Sequence, residues 1–449
     1  MGFLYTIVGI GLVLGVMVLI HEWGHFVAAR LCGVRVDVFS IGFGPRLFGW
    51  KKGPTDYRVS ALPLGGYVRM AGQDLSEVDA GEKPPTGAPD ELMSKPRWQR
   101  AFISFAGPAV NLVFPIFLLT GLFTMVGVPY PAYLDAPVHV TGLPANLETA
   151  PSPSPLKAGD TVLSINGVAT PSWEKALLAL KQAAPGATVK MEVDDSGSRK
   201  TLEVPVKDQT DPNAILGYAP IRPIIDQVAP GTPAEHAGLR EGDEITAVNG
   251  KKIEYWEQFR EATQSSNGQP MTLDVTRKGL STHLNVTPKK DAAETGQNTY
   301  QIGVLPRDES AYKHVSFSES LRFASTGTVD TIGRTMDVVG KLFSGRVSIK
   351  QLQGPVGISH MAGQAVRRGP MDVIFLMVLI SVNLGILNLL PIPILDGGNI
   401  LLLGIEGVMR RDLSLSFKER FVQVGLVFLL VIFAVVMYND ILRRISSHS

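Results

Sequence analysis

A chain of 449 residues is long enough for two or three domains. Its net charge of +1 gives no electrostatic case for a nucleic-acid partner, and a single cysteine, Cys32, excludes an internal disulfide and a cysteine-rich metal site. The 45% hydrophobic content gathers in four blocks, residues 3–20, 101–128, 373–390 and 421–438, each long enough to span a bilayer.

Residues 1–20 carry no charged side chain. At about 1.5 Å per residue such a run is roughly 30 Å long, the thickness of a bilayer core. It has neither a basic n-region nor a small-residue cleavage site, so it is expected to stay as an anchor. His21-Glu22-Trp23-Gly24-His25 follows at once. Residues four apart share a helix face, so His21 and His25 can present two imidazoles to one metal ion. Glu22 lies about a quarter-turn round, placed to hold a water and take its proton. Two neutral imidazoles suit zinc, which in a hydrolytic site needs a third protein ligand and an open position. A chance match, or a pair of interfacial histidines, is the alternative. Ionisable groups inside a membrane helix usually mark function, which favours the metal.

Basic residues cluster at Arg30 and Arg35, at Lys95, Arg97 and Arg100, and at Arg410, Arg411, Lys418 and Arg420. The positive-inside rule then puts the motif towards the cytoplasm and the long middle region outside. After the first span, Val34, Val36 and Val38 alternate with polar residues, which is strand periodicity. Gly42-Phe43-Gly44-Pro45 and Leu64-Gly65-Gly66-Tyr67-Val68-Arg69-Met70 predict short strands separated by glycine turns. Such a sheet either has no catalytic part or offers an edge strand beside the metal, with Gly66, Tyr67 and Val68 receiving substrate. Residues 73–90, rich in Pro, Gly and acidic groups, predict a mobile loop. In the second span, the small residues of Ala106-Gly107-Pro108 allow close helix approach, and Asn111 reads as a packing hydrogen bond or, less favoured, a substrate contact.

The region after the second span repeats internally. Gly159-Asp160, Asn166-Gly167 and Trp173 recur 83 residues later as Gly242-Asp243, Asn249-Gly250 and Trp256. Each Gly-Asp pair precedes a short apolar strand, an Asn-Gly turn and a helical segment. This order resembles the circularly permuted PDZ domain of bacterial proteases. PDZ domains bind chain ends by strand addition; the other role open to the pair is to shield the membrane site. Further on, Ile332, Met336, Val339 and Phe343 fall on one helical face and predict an amphipathic helix on the outer membrane surface.

Between residues 373 and 405 the only charged side chain is Asp396. A straight helix of that length would be roughly 50 Å, beyond the bilayer, and Pro391 and Pro393 predict a break. Irregular backbone at membrane depth is tolerated where it lines a cavity. An isolated aspartate there needs a cation, and the zinc of His21 and His25 is the candidate. A structural cap on the next helix is the alternative.

Taken together, the His21–His25 motif, the Asn388-to-Gly397 segment and the PDZ-like copies between them resemble the site-2 protease family. Phe39-Ser40-Ile41-Gly42-Phe43-Gly44 and Gly65-Gly66-Tyr67-Val68 extend the similarity along the chain. The tandem copies narrow it to the sigma-factor-regulating branch of Gram-negative bacteria. One departure is Asn399, where the family often has His after Leu-Asp-Gly-Gly; a packing effect is expected from it. The resemblance implies an intramembrane zinc metalloprotease with His21, His25 and Asp396 on Zn2+, Glu22 as general base and Asn388 on the substrate backbone. Its substrates would be the membrane-spanning segments of pre-cleaved anti-sigma factors and remnant signal peptides, with the PDZ pair as a size filter. The competing class is a membrane-anchored PDZ scaffold or chaperone with a structural metal.

The expected fold is a polytopic α-helical membrane protein with four transmembrane helices, a small membrane-associated β region and two tandem PDZ-like domains. Residues 1–33 hold the first span and motif, 34–100 the β region and loop, and 101–128 the second span. Residues 129–220 and 221–306 are the PDZ-like copies, and 307–372 the amphipathic linker. Residues 373–398 form the third span with the third-ligand segment, 399–420 a cytoplasmic connection, and 421–449 the fourth span and tail. The expected setting is the bacterial inner membrane, with lipid as neighbour and the PDZ pair in the periplasm.

Overall fold

The computed structural model describes residues 2–73, 86–140, 156–157, 159–184, 187–205, 213–229, 231–291, 299–307, 309–345 and 354–446. Most of the stretch expected to be a mobile loop therefore lies outside the described residues. The chain divides into two compact units, one built from residues 1–128 and 314–442 and the other centred on residues 129–313.

In the first unit, helix α1 (Gly2–Leu31) continues unbroken through the histidine motif. Strands β1 (Val36–Lys52) and β2 (Thr55–Met70) follow. They are longer than the short strands expected, because the glycines bend the strands where turns were expected to end them. Gly42 and Gly44, at φ +90° and +85°, fold β1 back on itself. The two strands pair antiparallel near their turn, Lys52 with Thr55, and again at their far ends, Val36 with Met70 through Ile41 with Gly66. Residues 38–41 also pair on their other side with residues 56–59. This leaves residues 66–70 as an edge of the folded sheet. Val34, Val36, Val68 and Met70 pack with Ala28 and Ala29 of α1 and with Ile103 and Ala106 of the next helix, α2 (Arg97–Met125). The close crossing depends on Gly24, where a Cβ would stand 2.6 Å from the Ala106 carbonyl oxygen.

The second unit carries the repeat. β3 (Thr161–Ile165), β4 (Val168–Ala169), helix α3 (Trp173–Lys181), β5 (Thr188–Asp195) and β6 (Ser198–Pro205) form a sheet of order β4-β3-β5-β6 with its helix. β7 (Glu244–Val248), β8 (Lys251–Lys252), α4 (Trp256–Ser265), β9 (Met271–Arg277) and β10 (Leu280–Val286) repeat it in the order β8-β7-β9-β10. The repeated residues have repeated jobs. Asp160 and Asp243 are buried and accept hydrogen bonds from the Lys157 and Arg240 amides at 2.7 and 2.8 Å. Asn166 and Asn249 both sit at φ +50°, the left-handed turn position that asparagine tolerates. Each copy has its own core, around Trp173 in the first and Trp256 with Phe259 in the second. Asp243 also pairs with Arg277 at 2.7 Å, and this bond raises the Arg277 guanidinium above its ordinary pKa.

In the first unit, α5 (Phe317–Phe343) packs on α2 and on the helix at Pro370–Leu389, and it carries a stripe of fully buried small residues, Ser320, Ala324 and Thr328. Met336, on the face expected to lie on the membrane surface, is 51% exposed and turned away from these helices. Short side chains let the backbones approach, and the larger apolar groups are turned outward. Helix α6 (Pro355–Arg368) crosses α1 at Gly9, where a Cβ would lie 2.5 Å from the Ala362 carbonyl oxygen. Helix α7 (Pro370–Leu389) stops before Pro391 and Pro393, and α8 (Asp396–Met409) starts at the aspartate itself. Helix α9 (Leu415–Ser446) follows; its Asp440 accepts from the Gly354 and Gly357 amides at the start of α6, at 3.2 and 3.1 Å. Among the described residues four helical segments are long and apolar enough to cross a membrane: Leu4–Leu31, Arg97–Met125, Pro370–Leu389 and Ser416–Asp440.

Candidate metal centre

His21 and His25 project from one face of α1, as a spacing of four requires. Asp396 reaches the same point from the first turn of α8. The Nε2 atoms of the histidines are 3.2 Å apart, His21 Nε2 is 3.2 Å from Asp396 Oδ2, and His25 Nε2 is 3.4 Å from Asp396 Oδ1. Metal bonds of about 2.0–2.1 Å in a tetrahedron set neighbouring ligand atoms roughly 3.3–3.4 Å apart. Three edges of that length, made by two imidazoles and a carboxylate, fit zinc with one vertex left open. The histidines are 7% and 8% exposed, so the donors are nearly dry.

The far nitrogens of both rings are held by α2. His25 Nδ1 lies 2.8 Å from the Ile103 carbonyl oxygen, to which it can only donate, so Nε2 is the free donor. His21 Nδ1 lies 3.2 Å from the Asn111 side-chain amide, whose Oδ1 is buried without a partner. The two ends of an amide are assigned by hydrogen-bond logic. A His21 that turns Nε2 to a metal carries its proton on Nδ1 and needs an acceptor there. Turning the Asn111 amide over supplies Oδ1 to that proton. Ser381 of α7 in turn donates to the Asn111 backbone carbonyl at 2.7 Å. Gly107 leaves room for the metal-side edge of His25: a Cβ there would stand 2.3 Å from Nε2. Gly397 and Gly398 let α8 start against the proline segment, for a Cβ on either would come within 2.3 Å of a carbonyl oxygen.

Glu22 is half-buried beside the three donors, with its carboxylate within hydrogen-bonding range of the Val68 backbone amide. The Met70 amide donates to the Gln73 side chain, and by the alternation of a strand the Val68 amide, two residues before it, points away from β1 as well. Gly66 also abuts Glu22, whose Cγ would be 3.5 Å from a Cβ at that position. Asn388, at the end of α7, has its amide 3.4 Å from His21 Nε2. A cavity of about 570 Å³ opens here, with Tyr67 and Val68 among its lining residues on one wall and Ile394 and Leu403 on another. Asn399 lines it too, as part of the wall.

All eight candidate residues thus meet in one place: His21, Glu22, His25, Gly66, Tyr67, Val68, Asn388 and Asp396 line the cavity or abut it. Sequence reasoning missed the support for the histidines. Asn111 makes the packing hydrogen bond expected of it, but its partner, His21, was not foreseen. The Ile103 carbonyl and Gly107 left no local signal, since their role depends on where α1 crosses α2.

The model of peptidase family M50 matches residues 9–432. Protease RseP of Yersinia pestis is 32% identical over 99% of this chain and 100% of its own length. Regulator of sigma-E protease RseP of Escherichia coli K12 is 30% identical over 99% and 100%. A protein of Vibrio cholerae named as a zinc metalloprotease is 31% identical over 98% and 99%. With a donor triangle that fits zinc and a family match along nearly its whole length, the chain belongs to peptidase family M50, the zinc-dependent site-2 proteases.

Proposed function

We propose that this protein is an intramembrane zinc endopeptidase in which His21, His25 and Asp396 hold the metal and Glu22 is the general base. The observation that carries this is the triangle of three donors at zinc spacing with the Glu22 carboxylate beside it. Bound there, zinc supplies Lewis acidity and makes water acidic enough to ionise near neutral pH. Glu22 takes the proton of the attacking water and returns it to the leaving amine. The Ile103 carbonyl and Asn111 keep both imidazoles in the tautomer that offers Nε2.

A helical substrate shields its peptide bonds, and unwinding it in a membrane strands backbone groups at several kcal/mol each. The edge at residues 66–70 offers replacement partners. Gly66, Tyr67 and Val68 would pair with the extended substrate, while Asn388 bonds its backbone from the other side.

The substrate class is the membrane-spanning segment of a pre-cleaved anti-sigma factor, with remnant signal peptides as a second class. This reading draws on the relatives named as regulators of sigma-E. The two repeat units, at residues 129–220 and 221–306, act as PDZ-type domains on the periplasmic face of the inner membrane and exclude substrates with bulky ectodomains. The zinc lies towards the cytoplasm.

A membrane-anchored scaffold with a structural metal is separated from this by one substitution. Cleavage of a model membrane peptide in detergent is followed for wild type and Glu22→Gln, with zinc content measured on both. The expected result is unchanged zinc and a rate lower by about 10²–10⁴-fold. Equal rates in the two proteins would exclude Glu22 as the base.

A further inference from the structure

The segment between α7 and α8 contains a backbone conformation that its residue does not favour. The Leu395 amide donates to the Ile392 carbonyl at 3.2 Å, closing a four-residue turn with Pro393 and Ile394 at its centre. Ile394 has φ +80°. Proline followed by a residue at positive φ is the type II pattern, in which glycine or asparagine normally fills the second position. Every other non-glycine residue at positive φ among the described residues is Asn, Ser, Lys or Arg; Ile394 alone is β-branched. A β-branched side chain in this region is a true outlier, and such strain persists where it serves a site.

Packing does not account for it. Ile394 is 40% exposed and lines the same cavity as His21, Glu22 and Asp396. Nor does the segment avoid glycine: Gly397 and Gly398 stand just beyond, at positions where close backbone approach demands them. Isoleucine therefore occupies the one position of residues 388–398 at positive φ, and it lines the cavity. It lies two positions before Asp396, a reach of roughly 7 Å along the chain. The β2 edge lines the same cavity through Tyr67 and Val68.

We propose that Ile394 is a specificity-determining residue, which packs on an apolar side chain flanking the cleaved bond of an extended substrate and selects for bulk there. This rests on the protease reading above, with Asp396 at the reacting centre. An extended segment sends neighbouring side chains to opposite sides. One flank of the cut bond would then meet Ile394 while the other does not.

The test uses the full chain with its zinc, as wild type, Ile394→Gly and Ile394→Asn. Both replacements suit a left-handed turn position and remove the apolar branch. The cleavage position in a model membrane peptide is mapped by mass spectrometry. Leu and Ala are then exchanged at each residue flanking the cut. Wild type should prefer Leu over Ala at one flank by at least about tenfold in kcat/KM. In both variants this preference should shrink towards unity, with zinc content unchanged and the melting temperature no lower than wild type. An unchanged Leu preference in zinc-loaded variants overturns the proposal while leaving the protease reading intact. Loss of zinc in either variant also overturns it, since Ile394 would then serve to hold Asp396. Wild type that cuts none of the peptides takes down both readings together.

Discussion

The Asn111 side-chain amide lies against His21 Nδ1, and in the proposed centre it would set which nitrogen His21 offers to zinc. Replacing it with leucine, of similar volume, removes the acceptor for the His21 Nδ1 proton and leaves that donor buried. Outer-sphere partners of this kind are worth about 10–100-fold in metal affinity. Asn111→Leu should weaken zinc binding by that factor in a chelator competition, and Asn111→Asp, which keeps an acceptor oxygen, should lose less. Equal affinities for Asn111→Leu and wild type would show that His21 is oriented by other groups. His21, Glu22 and His25 were legible because one helical turn contains their geometry. Asp396 was legible because it is a lone charge in a long apolar run. Asn111 gave no such signal. Its distance to His21 depends on the crossing of α1 and α2 at Gly24 and Ala106, and a crossing is not written in the periodicity of either helix.

Among the elements, the folded sheet of β1 and β2 carries the strand-addition idea. Its existence followed from alternation at Val34, Val36 and Val38, but its length did not. Glycines at positive φ can end a strand or bend it, and only the pairing of residues 36–41 with residues on both sides distinguishes the two. The Val68 amide faces Glu22 rather than β1, so it is a donor that β1 does not use. Val68→Pro removes this donor without breaking a β1–β2 hydrogen bond. Zinc content and melting temperature should stay near wild type while the cleavage rate falls by about tenfold or more, since Glu22 and an incoming substrate carbonyl both lose this donor. Val68→Ile should be nearly silent. Normal cleavage by a well-folded Val68→Pro protein would remove the β2 edge from the mechanism at this position. In the same way, α5 was legible as a helix, but the choice of its buried face was not: small residues at Ser320, Ala324 and Thr328 win that contact because they allow close approach.

At the scale of the whole molecule, two activities are assigned to two units of the chain. The repeat was legible because its Gly-Asp, Asn-Gly and Trp residues recur at one spacing. Their shared duties in the structure, capped aspartates and left-handed asparagines, explain why those residue types recur. Asp243→Ala leaves Arg277 without its carboxylate and should destabilise the second copy by about 3 kcal/mol. If the copies exclude bulk, this variant should cleave substrates with a large ectodomain faster than wild type does, with short substrates unaffected. A size dependence that stays the same after the second copy is shown to be unfolded would count against a filter. The candidate metal centre joins residues from both ends of the chain, α1 and α8, and in the proposal Asp396 as third ligand would make it more than an incidental pair of histidines. Zinc stoichiometry in purified wild type and Asp396→Ala tests this most directly: about one ion per chain in wild type and almost none in the variant is the expected result, and full occupancy in Asp396→Ala would contradict it.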